Sequence, residues 1–184
     1  MLARDDAGSF DGAITRSLEL AAEATDPQAR VPVSIFAALL RILAGDEDGA
    51  RQLLDWTLDE ARGSEVGMEL VHYETSLVAV LLGLDPRELG IPPVANPGTP
   101  RDEATAALYE GDLAGAADAL ADLGKVNDEA YLRLHLGERL FAEGRAEEGR
   151  EQIERSLAFW RTVRATRFVR EAEALLAGAA QKSA

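Results

Sequence analysis

Apolar residues recur along the chain three or four positions apart, the spacing that places them on one face of a helix. The stretches with this spacing predict helices over residues 10–25, 65–82, 101–109, 113–123, 128–143, 146–163 and 166–179. Two more are predicted between the first and second of these: one opens at Asp26-Pro27 and carries Val31 to Leu43, and its partner carries Ala50 to Leu58. The chain is therefore expected to be all-α.

A short glycine-containing phrase recurs four times between these helices. Its copies begin at Gly8, Gly45, Gly111 and Gly144, which are 37, 66 and 33 residues apart, and 66 is twice 33. The first glycine can adopt the left-handed conformation that ends a helix. In three copies a capping residue follows it: Ser9, Asp46 and Asp112. Each copy has a small residue five places after the first glycine, which lets two antiparallel helices approach closely: Ala13, Ala50, Ala116 and Gly149.

A period of about 34 residues is typical of helix-hairpin solenoids, in which each hairpin buries its apolar face against its neighbours. We therefore predict an antiparallel helix-hairpin solenoid with N-terminal repeats in residues 1–84 and C-terminal repeats with a capping helix in 101–184. The first unit lacks its helix A, so we expect either a piece of a longer array or a short protein that forms a homodimer through the uncovered half-repeat.

A proline-rich segment interrupts the repeats at residues 85–100, which hold five of the seven prolines. Such a density excludes a helix and predicts a loop. Thr99, Pro100 and Asp102 then have the order of a capping box, with proline at the first helical position. The helical pattern is expected to resume there.

Composition narrows the class of partner. The net charge of −14 opposes binding to nucleic acid or to an anionic membrane and favours a protein partner that is basic. There is no cysteine, which excludes disulfides and thiolate metal sites. The longest apolar run, residues 77–84, is too short to cross a bilayer, and residues 1–6 contain no apolar signal region. These features predict a cytoplasmic location.

Residues 130–157 resemble a tetratricopeptide repeat. Leu136-Gly137 matches the paired Leu-Gly of its helix A, and Gly144 and Gly149 match its turn glycine and the small residue of helix B. Ser156-Leu157 matches its closing Ala-Leu, whereas Ala37-Ala38 stands in for Leu-Gly in an earlier unit. The resemblance implies a superhelical array that binds proteins or peptides.

A narrower resemblance covers residues 145–176. The segments Ser156 to Arg161 and Ala165 to Glu173 look like the C-terminal tail of large bacterial signalling proteins. Such proteins join a nucleotide-cyclase-like or DNA-binding module and an ATPase module to a helical-repeat array. None of the catalytic motifs of those modules is present in this chain, so the resemblance implies a non-catalytic interaction or regulatory domain of a larger parent.

The tetratricopeptide resemblance also implies a partner-binding groove. The residues expected to line or border it are Tyr131, Leu134, His135, Glu138 and Phe141, with Arg133 nearby. The Lys/Asn clamp that some relatives use for peptide carboxylates is absent. The groove would be apolar and acidic, and it would suit a basic or neutral peptide, or another domain of the same parent.

A cluster of arginines follows in the sequence: Arg161, Arg164, Arg167 and Arg170. Residues 145–170 carry seven Arg and four Glu, so this segment is cationic within an acidic chain. We expect these arginines to form a solvated face that pairs with neighbouring acidic helices. The alternative is a docking patch for an acidic partner, and contact with nucleic acid ranks third.

Candidate catalytic and metal-binding patterns are weak. Glu69 and His72 have the Glu-x-x-His spacing of di-iron bundles, but such a site needs a second copy and further carboxylates. The alternative, a structural histidine, is favoured, and no cofactor or metal is expected. Asp46 to Gly49 lacks the alternation of a calcium loop and reads as a solvated turn. Trp56 and Trp160 are expected in the core or in the packing between repeats, and the alternative is that one of them anchors a partner.

Overall fold

The computed structural model describes residues 7–24, 26–63, 71–95 and 97–182. In these ranges the chain contains nine α-helices and no strand, which confirms the all-α class. The helices are α1 (Ala7–Glu23), α2 (Pro27–Ala44), α3 (Glu47–Gly63), α4 (His72–Leu81), α5 (Pro100–Glu110), α6 (Leu113–Asp122), α7 (Val126–Ala142), α8 (Ala146–Thr162) and α9 (Thr166–Lys182).

The chain divides into two compact units. The N-terminal unit comprises residues 6–96 together with Leu108–Gly111, and the C-terminal unit comprises Pro97–Ala107 and Asp112–Ala184. The first therefore contains α1 to α4 with most of the proline-rich segment that follows them, and the second contains the end of that segment, most of α5, and α6 to α9.

In the N-terminal unit, α2 is the central helix and packs against α1, α3 and α4. The Asp26 side chain accepts a hydrogen bond from the Gln28 amide and caps α2, as predicted. Inside the unit, the hydroxyls of Ser34 and Thr57 lie 2.8 Å apart and join α2 to α3. By length and composition α2 could cross a membrane, and no other described helix could.

In the described part of the chain, the predicted helix over residues 65–82 is present as α4. Val71 lies in a turn with φ −126°, so α4 begins at His72, while residues 64–70 lie outside the described part of the chain. The predicted apolar stripe is also wider than one face, since polar Thr75 and Ser76 are buried as completely as Leu77. The helix is enclosed by its neighbours because the proline-rich segment folds over it, with Ile91 buried and the Pro92 carbonyl 2.5 Å from the His72 ring nitrogen Nε2.

Left-handed residues make the corners between consecutive helices. Gly45, Gly111 and Gly144 have φ of 85°, 74° and 79°, which confirms the predicted turns. At each corner the next residue's amide bonds a carbonyl five residues earlier, as in Arg145 N–H to Leu140 O at 2.9 Å. The prediction at Gly8 is wrong, because α1 begins at Ala7 and includes Gly8 and Ser9. A glycine ends a helix only where helical turns precede it.

The capping residues and the small residues of the glycine phrase also agree with the prediction except in the first copy. Asp46 and Asp112 accept hydrogen bonds of 2.9 Å from the Gly49 and Gly115 amides, as predicted. The small residues Ala50, Ala116 and Gly149 are buried. The exception is Ala13, which is exposed, because its phrase lies within α1 rather than at the end of a helix.

The predicted start of α5 is confirmed in detail. The Thr99 hydroxyl accepts a hydrogen bond from the Asp102 amide, and the Asp102 carboxylate accepts bonds from the Thr99 amide and hydroxyl. This reciprocal pairing is the capping box expected from the sequence. The predicted helix over residues 128–143 begins two residues earlier, at Val126. The bond from the Lys125 amide to Leu120 O completes a left-handed corner at Gly124, directly before this start.

Candidate partner-binding surfaces

The helices α7 and α8 cross at two glycines. A Cβ on Gly137 would lie 2.5 Å from Ile153 and 3.0 Å from the Gly149 carbonyl oxygen, and a Cβ on Gly149 would lie 2.7 Å from the Phe141 ring. Neither position has room for a side chain. The two helices are also joined by the buried Ser156 hydroxyl, which donates to Ala130 O at 2.7 Å. This crossing fixes the faces that α7 and α8 present elsewhere.

A buried arginine ties three helices of the C-terminal unit together. Arg133 of α7 is 2% exposed, and its guanidinium donates to Asp118 of α6 at 2.7 Å, to Glu129 at 2.7 Å and to Gln152 of α8 at 2.9 Å. Its charge is thus satisfied within the fold. Arg133, expected near the binding groove, has a role in packing α6, α7 and α8 together.

The second face of α7 lies against α9. The Tyr131 ring packs edge-on against Phe168 of α9, with centroids 5.4 Å apart, and against His135 at 5.0 Å. Phe168 in turn stacks on the buried Trp160 of α8 at 4.5 Å. We call Tyr131, His135, Glu138, Phe168 and Glu171 the α7–α9 face. Its aromatic floor is continuous with the core of the unit.

The exposed edge of the α7–α9 face is acidic. Desolvation by neighbouring groups raises the pKa of the Glu171 carboxyl, Arg167 lowers it, and the nearby Glu138 raises it again. The two carboxylates therefore act on one another across the two helices. A cationic side chain between them would be favoured by both.

The predicted groove residues divide between three environments. Tyr131 and Leu134 are 7% and 2% exposed, so little of either side chain can contact a partner. Phe141 is half-buried and lies against Gly149 of α8, away from the α7–α9 face. His135 is half-buried and Glu138 is exposed, both on that face. A contribution of these residues to binding remains a prediction.

The predicted arginine cluster also divides. Arg161, Arg164 and Arg170 line an open depression of about 450 Å³ together with Thr166 and Val169. Arg167 is directed elsewhere, with its guanidinium 5.6 Å from the Phe168 ring centroid and close enough to Glu171 to act on its pKa. We call the five residues of the depression the arginine corner. Nothing in the residue pattern indicated that Thr166 and Val169 would take part.

The expected pairing of the arginines with acidic helices is found at Arg161, whose guanidinium lies 2.8 Å from the Glu173 carboxylate of α9. The expectation for the tryptophans holds at Trp160, which is 2% exposed. It is wrong at Trp56, which is 41% exposed and has the Arg30 guanidinium 5.9 Å from its ring. A position late in a helix therefore does not determine whether a tryptophan ring faces the core or the solvent.

Of the candidate metal-binding pair, His72 lies in the described part of the chain. His72 contacts the Pro92 carbonyl, while Glu69 lies outside the described residues. Within the described ranges no group of three or more His, Asp or Glu residues is placed to hold a metal ion. Asp46 lies in the turn before α3, and the first helical residues are Glu47 and Asp48. This agrees with the prediction of a solvated turn.

Comparisons with protein-family models, with curated proteins and with solved structures gave no match to this chain.

Proposed function

We propose that this chain is a tetratricopeptide-like solenoid that acts as a non-catalytic protein-interaction and regulatory domain. The observation that carries the proposal is the close crossing of α7 and α8 at Gly137 and Gly149. These glycines occupy the two positions at which the resembled repeat keeps small residues. In the same unit, α6 to α9 follow one another through left-handed corners at Gly124, Gly144 and Arg164.

The repetition of one corner type supports a stacked array. Helices joined by the same short turn and packed at similar small-residue contacts repeat the same displacement from one hairpin to the next. Contacts of α7 with both α8 and α9 are consistent with this order, because the first helix of one hairpin then meets the first helix of the next. The open face of such an array is a surface for binding.

The chemistry of the α7–α9 face indicates the partner. The Tyr131 and Phe168 rings pack against one another inside the unit, so the groups that this face offers a partner are the carboxylates at its edge: Glu138 and Glu171 suit a lysine or arginine. The partner we propose is a basic peptide segment, carried by another protein or by another domain of a larger bacterial signalling protein. A cytoplasmic setting fits this proposal.

A peptide selection tests this function. The biotinylated chain is used to select from a random peptide library, and the enriched sequences are measured by fluorescence anisotropy. We expect the enriched sequences to be rich in Lys and Arg, because the exposed edge of the face is acidic. Their affinity should fall about tenfold in Glu138→Lys/Glu171→Lys, because both carboxylates reverse sign.

The matched control is Glu147→Lys/Glu151→Lys, which reverses two exposed acids on α8 and leaves the α7–α9 face unchanged. Affinity should change less than about twofold in this variant, because the reversed charges lie outside the site. Selection without enrichment, or equal losses in both double variants, would overturn the proposal. Circular dichroism of each variant verifies that the helices are intact.

A further inference from the structure

The arginine corner differs in one respect from three other left-handed corners of the chain. Gly111, Gly124 and Gly144 have left-handed φ at the ends of α5, α6 and α7, and at the end of α8 the same position is occupied by Arg164 with φ 58°. It is the one non-glycine residue with positive φ in the described part of the chain. A left-handed conformation disfavours any residue with a Cβ, and strain kept at a surface position points to a role for its side chain.

The shape of the corner gives the first part of that role. Arg164 lines the depression with Arg161 and Arg170, and carbon atoms of the lining residues form most of its wall. Val169 and the aliphatic stems of the arginines therefore make an apolar floor. The arginines are exposed, so their charged ends lie at its edge.

The charges around the corner give the second part. Residues 145–170 contain seven Arg and four Glu in a chain whose net charge is −14. The contact of Arg161 with Glu173 shows that a carboxylate fits beside the corner. Both side chains of this pair are largely exposed, Arg161 at 59% and Glu173 at 50%. Exchanging Glu173 for a carboxylate of a partner therefore costs little free energy.

We infer that the arginine corner binds an acidic segment of a partner protein in which an apolar side chain is flanked by Asp or Glu. The apolar side chain occupies the floor formed by Val169 and the arginine stems, and the flanking carboxylates pair with Arg164 and Arg170 at the edge. A bare anion would leave the carbon floor uncovered. This inference rests on the proposed interaction function but uses a different surface and a partner of opposite charge.

A titration of the full ¹⁵N-labelled chain, followed by NMR at low salt, tests the inference. The probe is an acetylated heptapeptide of sequence GDELEDG, and the comparison peptide has serine in place of leucine. We expect the leucine peptide to shift the amide signals of residues 161–170 with saturation. The serine peptide should bind about fivefold more weakly, because it leaves the apolar floor in water.

Variants separate the corner from general charge. Arg164→Gln/Arg170→Gln should weaken binding of the leucine peptide about tenfold, since two charge-assisted pairs are lost. The matched control Arg145→Gln removes an exposed arginine from the preceding corner and should change affinity less than about twofold. Glutamine at position 164 keeps a Cβ, so the backbone demand at the corner is unchanged.

Three results would overturn the inference: no shifts at residues 161–170, equal loss in the corner and control variants, or equal binding of the leucine and serine peptides. Shifts produced by inorganic phosphate or by a single-stranded oligonucleotide, with none from the leucine peptide, would assign the corner to a phosphate group instead. Failure of the peptide selection at the α7–α9 face would leave this result standing, because neither probe nor variants are shared.

Discussion

Arg164 has a left-handed backbone conformation at a position where the other corners have glycine. Its φ of 58° is one that glycine adopts without cost and other residues adopt at a cost of about 1 kcal/mol or more. Arg164→Gly should therefore stabilise the chain by about 1 kcal/mol and raise Tm by about 3 °C, measured by thermal unfolding with circular dichroism. The same substitution removes one of the two charge-assisted pairs and should weaken binding of the acidic peptide at the arginine corner, by less than the double glutamine variant does. The reverse change, Gly144→Arg, should lower Tm. An unchanged or lower Tm in Arg164→Gly would contradict the argument from strain.

Gly137 and Gly178 are both helical glycines, yet they should respond to alanine in opposite directions. A Cβ at Gly137 would lie 2.5 Å from Ile153, whereas at Gly178 nothing lies within 4 Å. Gly137→Ala should cost about 2 kcal/mol through overpacking of α7 against α8. Gly178→Ala should add about 0.5 kcal/mol because alanine favours helix. Urea unfolding measures both, and a stabilised Gly137→Ala would show that the crossing can open.

The helices α6, α7 and α8 are joined by the buried side chain of Arg133. Arg133→Ala should cost about 3 kcal/mol, since it removes the cation that Asp118, Glu129 and Gln152 share and leaves a cavity. Arg155 provides the matched control. It lies 3.9 Å and 3.7 Å from the same two carboxylates but is 46% exposed, so Arg155→Ala should cost well under about 1 kcal/mol. Comparable losses in urea unfolding would contradict a special role of burial.

The stability that the first turn of α5 contributes should depend on pH in the acid range. The hydrogen bond from the Thr99 hydroxyl, then that from the Gly98 amide, holds the pKa of the Asp102 carboxyl below its usual 3.8. A depressed pKa in the folded state contributes stability above pH 3.8, and this contribution is lost as pH falls through the lower folded value.

Asp102→Asn should consequently have a lower Tm than the unmodified chain at pH 7, and the gap should close on acidification below the usual pKa of an aspartate. Thermal unfolding of both proteins across this range measures the gap. A gap that stays constant at acid pH would show that the ionised carboxylate is not what stabilises the turn.

For the molecule as a whole, self-association is governed by charge. The net charge of −14 makes two copies repel one another. Large apolar side chains are exposed on three helices of the N-terminal unit, with Leu20 and Phe36 at 50% and Trp56 at 41%. Exposed single residues of this kind are ordinary on a monomer surface.

We therefore expect light scattering to give the mass of a monomer at low salt across a wide range of protein concentration. Phe36→Glu should leave that mass unchanged. A mass that doubles with concentration, and returns to that of the monomer in Leu20→Glu or Phe36→Glu, would favour the stand-alone homodimer over the proposed domain of a larger protein.

Local features of the chain were enough to predict most helices and their turns. Glycine at positions 45, 111 and 144 ends a helix because of its own conformational freedom, and Asp26, Asp46 and Thr99 cap helices through bonds to residues at most three positions away. Such interactions need no distant partner, so a short segment contains all their information. The same reasoning failed at Gly8, where the residues of a turn lie inside α1.

The surfaces needed contacts between helices far apart in sequence. The burial of Tyr131 depends on Phe168 of α9, and that of Arg133 on Asp118 and Gln152, so helical spacing on α7 could not separate partner-facing from core residues. Likewise, four evenly spaced arginines predict one patch. Packing turns Arg167 toward Phe168 and leaves Arg161, Arg164 and Arg170 around the depression, because a side chain's surroundings are set by the neighbouring helix rather than by its own.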